Sequence, residues 1–123
     1  MARPDSGTYR RVDRVHAAPG ALVRLLIEGR ARESNATLLE LGMSDLLLST
    51  SEPLALGTRL KVGISLPGRF LEFDIPGMVS WHLNGEFGIS FDYLTGRQTY
   101  GLVMAIDLMS RAADEAALVA RRG

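Results

Sequence analysis

The chain has no cysteine, which excludes a disulfide framework and any thiolate metal centre. Histidine is scarce too. His16 and His82 have no partners at metal-ligand spacing and read as ordinary polar residues rather than ligands or bases. No glycine-rich phosphate loop and no Gly-x-Ser-x-Gly elbow occurs. Asp107, Asp114 and Glu115 fall on the solvated face of a predicted helix, so nothing suggests a paired-carboxylate site. These absences predict a protein that is not an enzyme, with no catalytic residue, no metal and no resident cofactor. Apolar runs such as Leu46-Leu47-Leu48 fall far short of the roughly 20 residues a membrane span needs. The opening Met1-Ala2-Arg3-Pro4-Asp5 lacks the apolar segment of a secretory signal, and a cytoplasmic location is expected.

Lysine is almost missing, with Lys61 set against 13 arginines. A guanidinium fork suits bidentate contacts, but codon usage explains the preference equally well. Formal net charge is zero, yet it is unevenly spread: residues 1–32 balance at +4 and the remainder at −4. A basic leader of this kind either attracts phosphates or is a solvated tail. Nucleic-acid binding is not expected, because the basic residues sit in the leader with only Tyr9 as an aromatic companion. At 123 residues the chain is one domain.

Residues 1–14 are polar, arginine-rich and without apolar period, and are expected to form a flexible arm. From Pro19-Gly20 to residue 94, short apolar runs alternate with turn signals, the pattern of an all-β domain. Strands are predicted near 21–28, 35–41, 45–50, 59–66, 70–82 and 86–93, with a bulge or edge at Pro76. The clearest hairpin joins 78–83 to 86–93 around Asn84-Gly85. A three-residue loop, Asn84-Gly85-Glu86, would set Leu83, Trp81 and Val79 opposite Phe87, Ile89 and Phe91 on one face. That register is preferred over a two-residue loop placing Trp81 against Gly88.

Beyond residue 94 the period lengthens. Thr95 and Gln98 make a capping box. Leu102, Ile106, Met109, Ala113, Ala116 and Ala120 then form one face of a helix spanning 95–123. That face either covers the open end of a barrel or forms a seam between two copies, so a monomer and a dimer through this helix both stay open.

Several features occur in a fixed order: Arg10-Arg11-Val12-Asp13-Arg14, about six strands, Leu56-Gly57-Thr58, Gly77-Met78-Val79-Ser80-Trp81, Phe87-Gly88-Ile89-Ser90-Phe91 and a C-terminal helix. This ordered set resembles the PilZ family over roughly residues 9–110. The resemblance implies a six-stranded antiparallel β-barrel of split-barrel type at 15–94, preceded by the arm (1–14) and followed by the helix (95–123). It also implies a regulatory adaptor that binds cyclic diguanylate and signals to a protein partner. Arg10, Arg11 and Arg14 would grip phosphates and guanine edges, for which a planar, always-charged fork is suited.

The family's second motif, Asp/Asn-x-Ser-x-x-Gly, is altered here to Glu40-x-Gly42-x-x-Asp45. Glu40 keeps a carboxylate for guanine donors, one methylene further out. Gly42 offers no hydroxyl. Asp45 tolerates positive φ less readily than glycine. Its charge would also face a doubly negative ligand, at a cost of about 3 kcal/mol per pair at ~5 Å and an effective dielectric near 20. Two lost neutral hydrogen bonds alone weaken binding by about one to two orders of magnitude. The sequence therefore predicts a weakened cyclic diguanylate site at Arg10, Arg11, Arg14, Glu40, Gly42 and Asp45. The alternative is a degenerate domain that no longer binds the nucleotide and serves as a protein-interaction module in motility or surface-appendage control. Trp81 either borders the ligand face or is a core aromatic at its hairpin.

Overall fold

The computed structural model describes residues 14–17, 20–66 and 69–122, with backbone only at 69–73, 116–117 and 121–122. Among the described residues seven strands and one helix follow one another: β1 (Val15–His16), β2 (Leu22–Ile27), β3 (Ser34–Leu41), β4 (Asp45–Ser49), β5 (Arg59–Leu66), β6 (Arg69–Leu83), β7 (Glu86–Phe91) and α1 (Gly96–Arg122). All six predicted strands are present. The short β1 has no apolar alternation to announce it and was not expected.

Six antiparallel strands close on themselves in the order β3-β2-β5-β6-β7-β4, with β4 returning to β3. Strand β1 adds to β3 on the side used by β2, pairing Val15 with Leu41 and His16 with Glu40, just beyond the last β2 pair. Closure leaves little free edge, the usual liability of a small sheet.

Alternation decides what faces inward. In β2, Val23, Leu25 and Ile27 are buried while Leu22, Arg24 and Leu26 are exposed. In β5, Leu60, Val62, Ile64 and Leu66 point in. With Leu38, Leu41, Leu46, Leu48, Ile75, Val79 and Ile89 they form one contiguous core.

Two bulges change this alternation where it matters. The β3–β4 register shifts at Leu39, between Leu38 and Glu40. Ala36 and Leu38 point in; after the bulge Leu41 points in and Glu40 is turned to the outside. The β6–β7 register shifts at Ser80. Here the preferred three-residue loop is wrong. Asn84 (φ 51°) and Gly85 (φ 80°) make a two-residue turn, Leu83 pairs with Glu86, and Trp81 faces Gly88. Two consecutive positive φ values match the primed turn that fits strand twist. The extra residue at Ser80 then restores Val79 opposite Ile89. The structure thus satisfies both the short turn and the apolar pairing, at the cost of putting Trp81 outside rather than beside Val79.

The helix starts at the predicted capping box. Gln98 N donates to Thr95 Oγ1 (3.1 Å) and Thr95 N donates to Gln98 Oε1 (2.9 Å). Gln98 Nε2 also donates to the Asp74 carbonyl on β6, fixing the approach of the helix to the barrel. Gly101 is buried, and Leu102, Ala105 and Met109 are buried and join the core. The covering face ends there: residues 111–115 and 118–120 are exposed. The expected stripe therefore serves the barrel through Met109, while Ala113 and Ala120 do not reach it.

Gly77 sits in β6 opposite Phe91 of β7. A Cβ there would lie 2.6 Å from the Ser90 carbonyl oxygen and 3.0 Å from Ile89 Cγ2. Backbone cannot step aside as a flexible side chain can. Gly77→Ala is expected to lower unfolding free energy by about 1–3 kcal/mol, read from the midpoint of urea denaturation at unchanged m-value.

Candidate functional site

The end of the leader meets the barrel at the β3–β4 turn. Ala17 N donates to the Leu39 carbonyl (2.8 Å), which seats residues 14–17 along β3. Arg14 then reaches the two carboxylates that flank the turn. Its Nη2 donates to Asp45 Oδ1 at 2.5 Å, and its Nη1 lies 3.6 Å from Glu40 Oε1. The Arg14 side chain is only 8% exposed, that of Glu40 10% and that of Asp45 31%. On the far side of Glu40, His16 Nδ1 lies 3.6 Å from Oε2. A charge this covered is stable only when paired, and here each partner offsets the other.

The turn itself is held by backbone hydrogen bonds. Gly42 N donates to the Asp45 carbonyl (2.9 Å), Phe91 N donates to the Ser44 carbonyl (2.9 Å), and Asp45 pairs with Ser90 of β7. Among the described residues only Asn84 has positive φ without being glycine. Asp45 is therefore unstrained, contrary to the expectation that this position needs left-handed backbone. The charge expectation changes as well: Asp45 is engaged as the partner of Arg14.

Of the six expected site residues, Arg14, Glu40, Gly42 and Asp45 are brought together at this corner. Arg10 and Arg11 lie outside the described residues. Gly42 completes the corner by lacking a side chain: an ideal Cβ would sit 3.4 Å from Asp45 Oδ1 and 3.7 Å from Arg14 Nε.

A cross-strand row extends from this corner over the outer surface. Its residues are His16, Glu40, Leu47, Gly88 and Trp81, in register through β1, β3, β4, β7 and β6. Three strand spacings separate Glu40 from Trp81, at most about 14 Å at ~4.8 Å each. The Trp81 side chain lies over Gly88, where a Cβ would be 3.4 Å from Trp81 Cβ and 3.7 Å from Cε3. Trp81 is half-buried on the outside, so the core-aromatic alternative is set aside. The neighbouring row carries Asp45, Ser90, Met78 and Arg59, with Ser90 Oγ donating to Ser80 Oγ at 2.7 Å. Sequence reasoning treated His16 as an ordinary polar residue and left Trp81 open between the ligand face and the core. Both placements depend on β1 and on the Ser80 bulge, for which periodicity carries no signal.

Elsewhere on the barrel three exposed arginines are paired with carboxylates. Arg24 lies between Glu33 and Asp74, across the bare backbone of Gly63, while Arg30 pairs with Glu52 and Arg59 with Asp92. Among the described residues no group of His, Asp and Glu could hold a metal ion, and no helix is long and apolar enough to cross a membrane.

A closed six-stranded antiparallel barrel with one C-terminal helix is a PilZ-like fold. No family model and no curated protein sequence matches the chain. Solved structures do. The chain superposes on the PilZ domain of YcgR from Escherichia coli, described with c-di-GMP, at a TM-score of 0.68 and 17% identity, covering 88% of this chain and 96% of that one. It superposes on the PilZ domain of CeSA from a cellulose-synthesizing bacterium at a TM-score of 0.62 and 15% identity, covering 79% of this chain and 97% of that one. At these identities the likeness establishes the fold, and the expected fold class holds.

The contacts of Gly42 are of ordinary van der Waals length, and its φ is not positive. Gly42→Ser is therefore expected to fold to the same barrel, losing no more than about 1 kcal/mol, as measured by thermal unfolding.

Proposed function

We propose that this domain is a PilZ-type regulatory adaptor whose Arg14 corner receives cyclic diguanylate, with affinity lowered by the carboxylates that surround it. The observation that carries the reading is the meeting of Arg14 with Glu40, Gly42 and Asp45 at one outer corner of the barrel. Arg14 supplies the phosphate-matching fork, with Arg10 and Arg11 of the same motif as its companions. Glu40 supplies an acceptor for guanine N–H groups. Trp81, in the same row as Glu40, offers an aromatic face on which a base can stack, a contact worth about 1–3 kcal/mol per base. The role is binding and signalling to a protein partner, without turnover.

Two features set the affinity below that of an intact motif. Gly42 brings no hydroxyl, and Asp45 already holds Arg14 at 2.5 Å. The same pairing favours a second reading, in which the nucleotide is no longer bound and the barrel serves only as a protein-interaction module in motility or surface-appendage control.

Isothermal titration with cyclic diguanylate at low and physiological salt separates the two. Binding weaker than micromolar, lost in Arg14→Ala and strengthened about tenfold or more in the Gly42→Ser, Asp45→Gly double variant, is the expected result. Binding at tens of nanomolar by the parent chain would contradict the reduced-affinity reading. No binding by the parent or the double variant would leave the interaction module.

A further inference from the structure

Arg14 differs from the other arginines of the barrel. The side chains of Arg24, Arg30 and Arg59 are 46–48% exposed, whereas that of Arg14 is 8% exposed. Surface ion pairs contribute little and exchange freely with water. A covered guanidinium is different: it cannot leave its partners without passing through an unpaired state. Arg14 is also the residue immediately before the short β1, whose register on β3 ends at the same Glu40 that faces Arg14.

We propose that Glu40 and Asp45 form a built-in counter-ion latch that seats the base of the leader on the barrel in the absence of any nucleotide. Glu40 is the fixed jaw, 10% exposed and set between Arg14 and His16. Asp45 is the movable jaw. Its backbone is held by Gly42 and Ser90, but its side chain is 31% exposed and can swing away by rotation about its own bonds alone. A consequence, resting on the nucleotide reading above, is that an anionic ligand gains Arg14 only by displacing Asp45. A carboxylate contact is then exchanged for a phosphate contact at little net gain. Leader docking is thereby uncoupled from ligand: the arm's base is down in both states.

The Ala17 amide, which donates to Leu39, reports the seating of β1. The Val79 amide, which donates to Thr58, reports the barrel itself. Hydrogen exchange of both is measured by NMR in the nucleotide-free parent, Asp45→Asn and Asp45→Glu. The latch predicts that Asp45→Asn speeds Ala17 exchange about tenfold or more, that Val79 is unchanged, and that Asp45→Glu keeps most of the protection. Unchanged Ala17 exchange, or equal acceleration at Ala17 and Val79, would overturn it. Titrating the same variants with cyclic diguanylate separates this proposal from the nucleotide reading. Faster Ala17 exchange with tighter nucleotide binding in Asp45→Asn supports both. Faster exchange with no binding by any variant upholds the latch and removes the nucleotide reading. Tighter binding with Ala17 unchanged overturns the latch and leaves the nucleotide reading standing.

Discussion

One covered guanidinium organises the corner of this molecule where function is proposed. Arg14 has to be paired because it is shielded from water, and Glu40 has to be paired for the same reason. Each makes the burial of the other tolerable, and Asp45 adds a second, closer carboxylate to Arg14 from the opposite side of the turn. The seating of β1, the outward turn of Glu40 and the identity of residue 45 are therefore parts of one arrangement. Removing one carboxylate leaves the arginine with a weaker reason to stay.

The barrel makes that arrangement possible through its irregularities. Regular alternation along β3 would carry Glu40 inward with Ala36 and Leu38; the bulge at Leu39 turns it out while keeping Leu41 in the core. Regular pairing in the β6–β7 hairpin would force a choice between a tight turn and matched apolar faces. The bulge at Ser80 removes the conflict and moves Trp81 into the outer row that begins at His16. Both bulges lie beside the site, where such defects commonly re-aim side chains.

Much of the fold could be read from the residues. Turn residues at Glu52-Pro53, Gly57 and Asn84-Gly85 delimit strands, and Thr95 with Gln98 marks the helix start that the hydrogen bonds display. The site was legible in part. Arg14, Glu40, Gly42 and Asp45 could be named together from an ordered motif, but their relation could not. Sequence spacing carries charge and identity without the sign of an interaction. Asp45 read as a repulsion toward a ligand because the ligand was the only partner in view, and Arg14 turned out to stand next to it. Trp81 was misplaced because a one-residue bulge leaves no periodic trace, and β1 because two residues are too few to show a period.

The account depends on Arg14 and Asp45 being energetically coupled rather than merely adjacent. A double-mutant cycle, Arg14→Gln with Asp45→Asn, measured from Ala17 amide exchange in the nucleotide-free chain, reads that coupling directly. A coupling of about 1–2 kcal/mol is predicted for a pair this short and this covered. Additive effects, with coupling near zero, would contradict it.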